Sequence, residues 1–252
     1  MTYCVGVMVD EGMVLLSDTR TNAGFDNIST FKKTFTYEQP GERVIVIMSA
    51  GSLSITQTVI AKLEEAIEDQ EPSPSTSFMH APTILQSAEI IGNMLSEVSA
   101  GIKQKMARME QSATASFIVA GQRSGGEQRM FLIYPEGNFI EATDDSPFLQ
   151  IGEHKYGKPI LDRVILPDTS LEDAGKATLL SMDSTLRSNL SVGMPLDLTV
   201  IKNGACKVDK HYRIEAGNRG FTAMSEAWSE TLRDGFRAMP SMADVDAENT
   251  SE

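Results

Sequence analysis

Four strand-length segments fill the first forty-nine residues, and three of them are almost unbroken apolar runs. "TYCVGVMV" and "MVLLSD" flank a turn at Asp10-Glu11-Gly12, while "FKKTFTY" and "RVIVIMS" flank "EQPGE", whose Pro-Gly step is a turn signal. Neighbouring side chains of a strand point to opposite faces of its sheet, so a run that is apolar at consecutive positions is buried on both. Short turns make the pairing antiparallel. The chain must therefore build sheets with further layers packed on each side.

The remaining order supplies those layers. After "SAGS" the apolar positions take helical spacing through Ile55, Val59, Ile60, Leu63 and Ile67, before the Pro- and Ser-rich loop "EDQEPSPSTS". A second helix is predicted from about 82 to 109, with a stripe at Ile84, Ala88, Ile91, Leu95, Val98, Ile102, Met106 and Met109. That stripe faces a core, and its length suits a contact with a neighbouring subunit as well. Strands return in "SFIVAGQ" and "RMFLIYP" about "RSGGE", then in "GNFIEAT" and "FLQIG". A short helix around "KPILDRV", a helix from about 170 to 189, and a hairpin of "LDLTVIK" and "CKVDKHYRI" about Asn203-Gly204 follow. A last helix covers about 217 to 237. The order predicts an α+β fold, a four-layer αββα sandwich of two stacked antiparallel sheets between helical layers. Residues 1–238 read as one domain and 239–252 as a flexible acidic tail.

Composition narrows the partners. Of 252 residues, 41% are hydrophobic and 23% charged, the balance of an ordinary globular protein. No apolar run approaches the roughly 20 residues of a membrane span, and the first residues lack a signal peptide's basic start, so a cytoplasmic protein is expected. A net charge of −13 repels phosphate backbones and anionic lipid, which disfavours nucleic-acid and membrane partners. Cys4 and Cys206 lie far apart in strand-like contexts and read as small buried hydrophobes rather than a metal cluster or disulfide. His80, His154 and His211 lack ligand spacing, and no cofactor or metal is expected.

The chemistry begins at Thr2. Removal of Met1 would leave a threonine with both a hydroxyl and a free α-amino group, a nucleophile carrying its own base. In the first hairpin, pairing with residue numbers that sum to about 22 sets Asp18 across from Cys4 and near Thr2. In the second, a turn near Pro40 sets Lys33 opposite Ile47 and returns Ala50-Gly51 beside the segment before Lys32. If adjacent strands of the two hairpins share a sheet, a hydroxyl, a carboxylate, an ammonium and a glycine-rich turn converge at one edge. Neighbours on a strand point to opposite faces, so only one of Lys32 and Lys33 can reach Thr2. The Ser-x-x-Lys match "STFK" is of the kind expected by chance, and the chain has no G-x-S-x-G, Walker or dinucleotide motif.

Thr2, "SDTRTNAG" with Asp18, "FKK" with Lys33 and "MSAGS" with Gly51 resemble the proteasome β-subunit and HslV-type threonine proteases. The start "MTYCVG" together with "SDTRTNAG" is more similar to Anbu, the bacterial ancestral β subunit of the same superfamily. The resemblance implies the N-terminal nucleophile hydrolase fold and cleavage of peptide or other amide bonds. It implies Thr2 as nucleophile, Lys33 as the cation beside it, Asp18 as the lysine's partner and the Gly51 amide as oxyanion donor. It also implies self-assembly into rings or spirals; proteasome-like chambers often work with an unfolding ATPase, and no motif in this chain selects one.

Departures from the family pattern fall at two places. "SNLSVGM" supplies Ser191 for the supporting serine but has Ser188 where the family's aspartate stands, and "IGEH" has Glu153 where the family has a serine. Glu153 is either a replacement carboxylate or a surface charge. A scaffold with little catalysis and an acylase of small amides are the alternatives these departures leave open.

Overall fold

The first two apolar runs form β1 (Tyr3–Val9) and β2 (Gly12–Asp18), joined by a tight turn at Asp10 and Glu11. A computed structural model describes residues 2–22, 28–69, 71–106 and 113–241. The chain divides into two units, Met1–Ala216 and Gly217–Glu252. In the larger unit follow β3 (Arg20–Asn22), β4 (Ile28–Thr30), β5 (Thr34–Gln39), β6 (Arg43–Gly51), α1 (Leu53–Glu68) and α2 (Ile84–Met106). Then come β7 (Ala115–Arg123), β8 (Arg129–Ile133), β9 (Phe139–Glu141), β10 (Phe148–Gly152), α3 (Lys158–Val164), α4 (Leu171–Ser188), β11 (Leu196–Lys202) and β12 (Lys210–Ile214).

Two five-stranded antiparallel sheets result, ordered β10-β1-β2-β11-β12 and β5-β6-β7-β8-β9, with β3 and β4 as a separate ribbon. The alternation along β6 explains the layering. Ile45 and Ile47 join Phe117, Val119 and the buried stripes of α1 and α2 in one core. Val44, Val46 and Met48, on the other face of the same strand, meet Cys4, Met13, Leu15 and Ile151 of the first sheet in a second core. Helix α4 packs on β1 and β2, with α3 beside it. The expected four-layer αββα sandwich is thus the fold of this unit. The α2 stripe is buried at Ile84, Ala88, Ile91, Leu95 and Val98 and partly so at Ile102. The side chain of Met106, and the whole of Met109, lie outside the described residues.

The smaller unit holds α5 (Arg219–Arg237), whose first turn is capped by Asn218: its Oδ1 accepts from the Phe221 amide at 3.0 Å. Of the expected tail, residues 242–252 lie outside the described set. Among the described residues no helix is long and apolar enough to cross a membrane.

Two local expectations need correction. The final hairpin does not close on Asn203-Gly204 in the expected way: β11 and β12 pair as Leu196↔Ile214 and Val200↔Lys210, leaving 203–209 as a loop. The Asn203 side chain instead donates to the Asp10 carbonyl, and the Gly204 amide donates to Gln122 Oε1 at 2.7 Å, so the turn is held by the β1–β2 turn and by β7. Cys206 is therefore in a loop, with φ of 47°, although it is buried as expected.

Candidate active site

The site forms where β1 begins and β2 ends. The turn at Asp10-Glu11 has two residues, so the register is Cys4↔Ser17, with numbers that sum to 21, and Asp18 comes opposite Tyr3 rather than Cys4. This one-residue correction moves Asp18 nearer to Thr2. The Tyr3 amide donates to Asp18 Oδ1 at 3.1 Å. In the second hairpin the turn spans Pro40, Gly41 and Glu42, giving Thr34↔Met48 and Phe35↔Ile47, so Lys33 lies beside Ser49 and not opposite Ile47. Its carbonyl accepts from the Ser49 amide at 2.9 Å.

Lys33 Nζ donates to Asp18 Oδ1 at 2.8 Å and to the Arg20 carbonyl at 2.6 Å. The carboxylate's other oxygen accepts from the Gly193 amide at 3.2 Å. Asp18 is fully buried and Lys33 5% exposed, so the pair is shielded from water. Burial pushes the Asp18 carboxyl up from its ordinary value; the Lys33 ammonium and the amides of Tyr3 and Gly193 oppose that rise. Lys32, by contrast, is exposed, with its ammonium 5.4 Å from the centre of the Phe35 ring.

Thr2 is buried, and its carbonyl accepts from the Glu153 amide at 2.8 Å. That contact continues the β1–β10 register past Tyr3↔Gly152. Gly152 permits it, since its φ is +82° and an added Cβ would lie 1.9 Å from the Thr2 carbonyl oxygen. Half-buried Glu153 is thus the direct neighbour of Thr2 across the strands. Gly51 ends β6 with φ of +110°, and a Cβ there would meet the Thr114 carbonyl oxygen at 2.2 Å, so only glycine fits before α1 begins. It lies two residues beyond Ser49, the residue bound to Lys33.

Ser191 is half-buried in the loop between α4 and β11, its amide donating to Asn189 Oδ1 at 2.9 Å. Two residues on, Gly193 makes the contact with Asp18, so the loop reaches the site through Gly193. Ser188, the last residue of α4, is exposed. Among the expected residues, then, Asp18 and Lys33 touch, Thr2 adjoins them through Tyr3, and Gly51 and Ser191 enter on neighbouring segments. Sequence reading missed the Arg20 carbonyl and the Gly193 amide. An added Cβ on Gly193 would lie 2.1 Å from Arg20 Nε, so this glycine lets the guanidinium lie against the loop. Arg20 Nη1 also donates to the Leu190 carbonyl at 3.0 Å.

A double-sheet αββα sandwich is the fold of the N-terminal nucleophile class, and here a buried lysine–aspartate pair lies beside the second residue. Within that class, the chain belongs to the proteasome subunit family, whose model, described as Proteasome subunit, matches residues 2–201. It is 30% identical over 205 residues to Proteasome subunit beta 2 of Pyrobaculum calidifontis, covering 80% of this chain and 89% of the relative. Among solved structures it is similar to a mutant of Anbu from Hyphomicrobium sp. strain MC1, with 45% identity, a TM-score of 0.89 and coverage of 96% of this chain and 99% of that one. The helical assembly of the Anbu complex from Pseudomonas aeruginosa is also similar, with 43% identity, a TM-score of 0.88 and coverage of 95% and 97%.

Proposed function

We propose that the protein is a cytoplasmic threonine hydrolase that cleaves peptide or other amide bonds through an acyl-enzyme on Thr2 after loss of Met1. The observation that carries this reading is the double use of Asp18 Oδ1, which holds both the Lys33 ammonium and the amide that follows Thr2. One carboxylate therefore fixes the cation and the nucleophile's own strand in a single frame.

In this reading the Thr2 hydroxyl oxygen attacks the substrate carbonyl carbon while the free α-amino group, directly or through water, takes the hydroxyl proton. An unperturbed α-amino pKa of about 7.7–8.0 suits a base working near neutral pH. Lys33 favours the neutral amine and the developing alkoxide by adding positive charge, and Asp18 keeps that charge oriented. The Gly51 amide donates to the carbonyl oxygen as it becomes negative, a contribution of about 3–4 kcal/mol. Collapse breaks the carbon–nitrogen bond, and the leaving amine carries off the proton held by the α-ammonium. Water, deprotonated by the same amine, then hydrolyses the ester and frees Thr2. Ser191 takes the role of the family's supporting serine, and Glu153, whose amide binds the Thr2 carbonyl, is either the replacement carboxylate or a surface charge.

Self-association into a ring or spiral is part of the proposal, supported by the helical assembly described for the Pseudomonas aeruginosa relative. The test is Thr2→Ala, which abolishes hydrolysis and labelling by electrophilic carbonyl or boronate probes; unchanged turnover would remove the mechanism. The exposed position of Ser188, where the family pattern has an aspartate, favours a second reading, an assembling scaffold with little catalysis. Such a scaffold leaves Thr2 unlabelled. A peptide-library digest set against a screen of small amides separates a peptidase from an acylase.

A further inference from the structure

Tyr3 is the residue next to the proposed nucleophile, and it is completely buried. Its side chain leaves β1 on the face covered by α4, where Tyr3 Oη lies 2.6 Å from Ser181 Oγ. Gln150 of β10 donates to the same phenol oxygen through Nε2. Gly157, just before α3, closes over the pair: an added Cβ would lie 2.1 Å from Ser181 Oγ and 2.8 Å from Tyr3 Oη. Residues from β10, α3's start and α4 thus form a socket around one hydroxyl.

A phenylalanine would fill nearly the same volume with no hydroxyl to satisfy. A buried hydroxyl is costly unless it is paired, and this one is paired with a buried serine and a half-buried glutamine. Volume filling does not account for that arrangement. The position in the chain does. Once Met1 is gone, Thr2 has no covalent bond on its amine side, and what locates it is its carbonyl's bond to Glu153 and the residue that follows. That residue is fastened at both ends, by its amide to Asp18 and by its phenol to Ser181 and Gln150. A slide or rotation of Tyr3 passes directly to Thr2, one residue away.

We infer that Tyr3 is a positioning residue for Thr2: its phenol, seated between Ser181 and Gln150, fixes the start of β1 so that the nucleophile meets the frame of Asp18 and Lys33. The inference rests on the hydrolase reading above. Burial pushes the phenol's pKa up to about 12, so the hydroxyl keeps its proton, and its hydrogen bonds, throughout the working pH range.

The test uses the full-length assembled protein, mature at Thr2, and its Tyr3→Phe, Ser181→Ala and doubly substituted forms. The rate constant and the half-saturating concentration for covalent labelling of Thr2 by an electrophilic carbonyl probe are measured beside the thermal midpoint. Each single substitution lowers the labelling rate constant by about tenfold or more, as a misplaced nucleophile does, with half-saturation unchanged. The double substitution does no further harm than Tyr3→Phe alone, because losing the phenol already removes the contact with Ser181. If Tyr3→Phe fails to fold, Ser181→Ala carries the same test with the native strand. Parent-like rate constants in the variants, with only the midpoint lowered, would assign Tyr3 to stability and overturn the inference alone. A parent protein that never labels overturns the hydrolase reading and this inference with it.

Discussion

At Asp18 one side chain serves three donors: the Lys33 ammonium and the amides of Tyr3 and Gly193. Removing the lysine leaves a buried carboxylate without its counter-charge, so Lys33→Ala should cost about 3–5 kcal/mol in urea unfolding and abolish labelling of Thr2. Lys32→Ala, at an exposed position, should change stability by about 0.5 kcal/mol or less. Tyr3 gives a residue-scale pH signature. Its pKa rises from 10.0 to about 12 on folding, so its contribution is whole below pH 10 and is lost as pH climbs through the folded value. Between those limits the parent should lose about 2–3 kcal/mol relative to Tyr3→Phe, read as unfolding free energy against pH. The nearness of Asp18 and Lys33 was legible in hairpin arithmetic to within one and two residues of register. The Arg20 carbonyl and the Gly193 amide are backbone groups with no residue signature, which is why pattern reading passed over them.

At the scale of elements, two registers decide the site. The two-residue turn of the first hairpin and the longer turn of the second differ from sequence expectation by one and two residues, and those shifts bring Asp18 beside Tyr3 and Lys33 beside Ser49. Apolar runs reveal that strands exist but not which residues face each other, because any slide keeps a doubly buried strand apolar on both faces. The α1, α3 and α4 segments, set by the chain's own apolar spacing and flanking loops, were legible to within a few residues. The β11–β12 loop was not, since the groups that hold Asn203 and Gly204 come from Asp10 and Gln122, far off in sequence. Two glycines with similar φ separate strain from contact. At Gly41 an added Cβ meets nothing within 4 Å, so Gly41→Ala should cost about 1–2 kcal/mol and leave labelling intact. Gly152→Ala forces a Cβ into the Thr2 carbonyl and should destroy labelling while the far-UV circular dichroism is kept.

For the whole molecule, layering and chemistry meet at one end of the sandwich. The two hairpins lie in different stacked sheets and not in one shared sheet as expected, and it is the stacking that brings the ends of β2 and β6 and the starts of β1 and β5 together. Light scattering at two protein concentrations should report a species far heavier than one 27.5 kDa chain, and a monomer at both would remove the assembly part of the proposal. The central claim concerns the leading amine and hydroxyl of a single threonine. Its most direct test is the intact mass of the purified protein before and after treatment with an electrophilic carbonyl probe, with the adduct located by fragmentation. The account predicts a chain that begins at Thr2 and carries one probe per subunit on that residue. A chain that keeps Met1, or a probe that finds no purchase on Thr2, would contradict it.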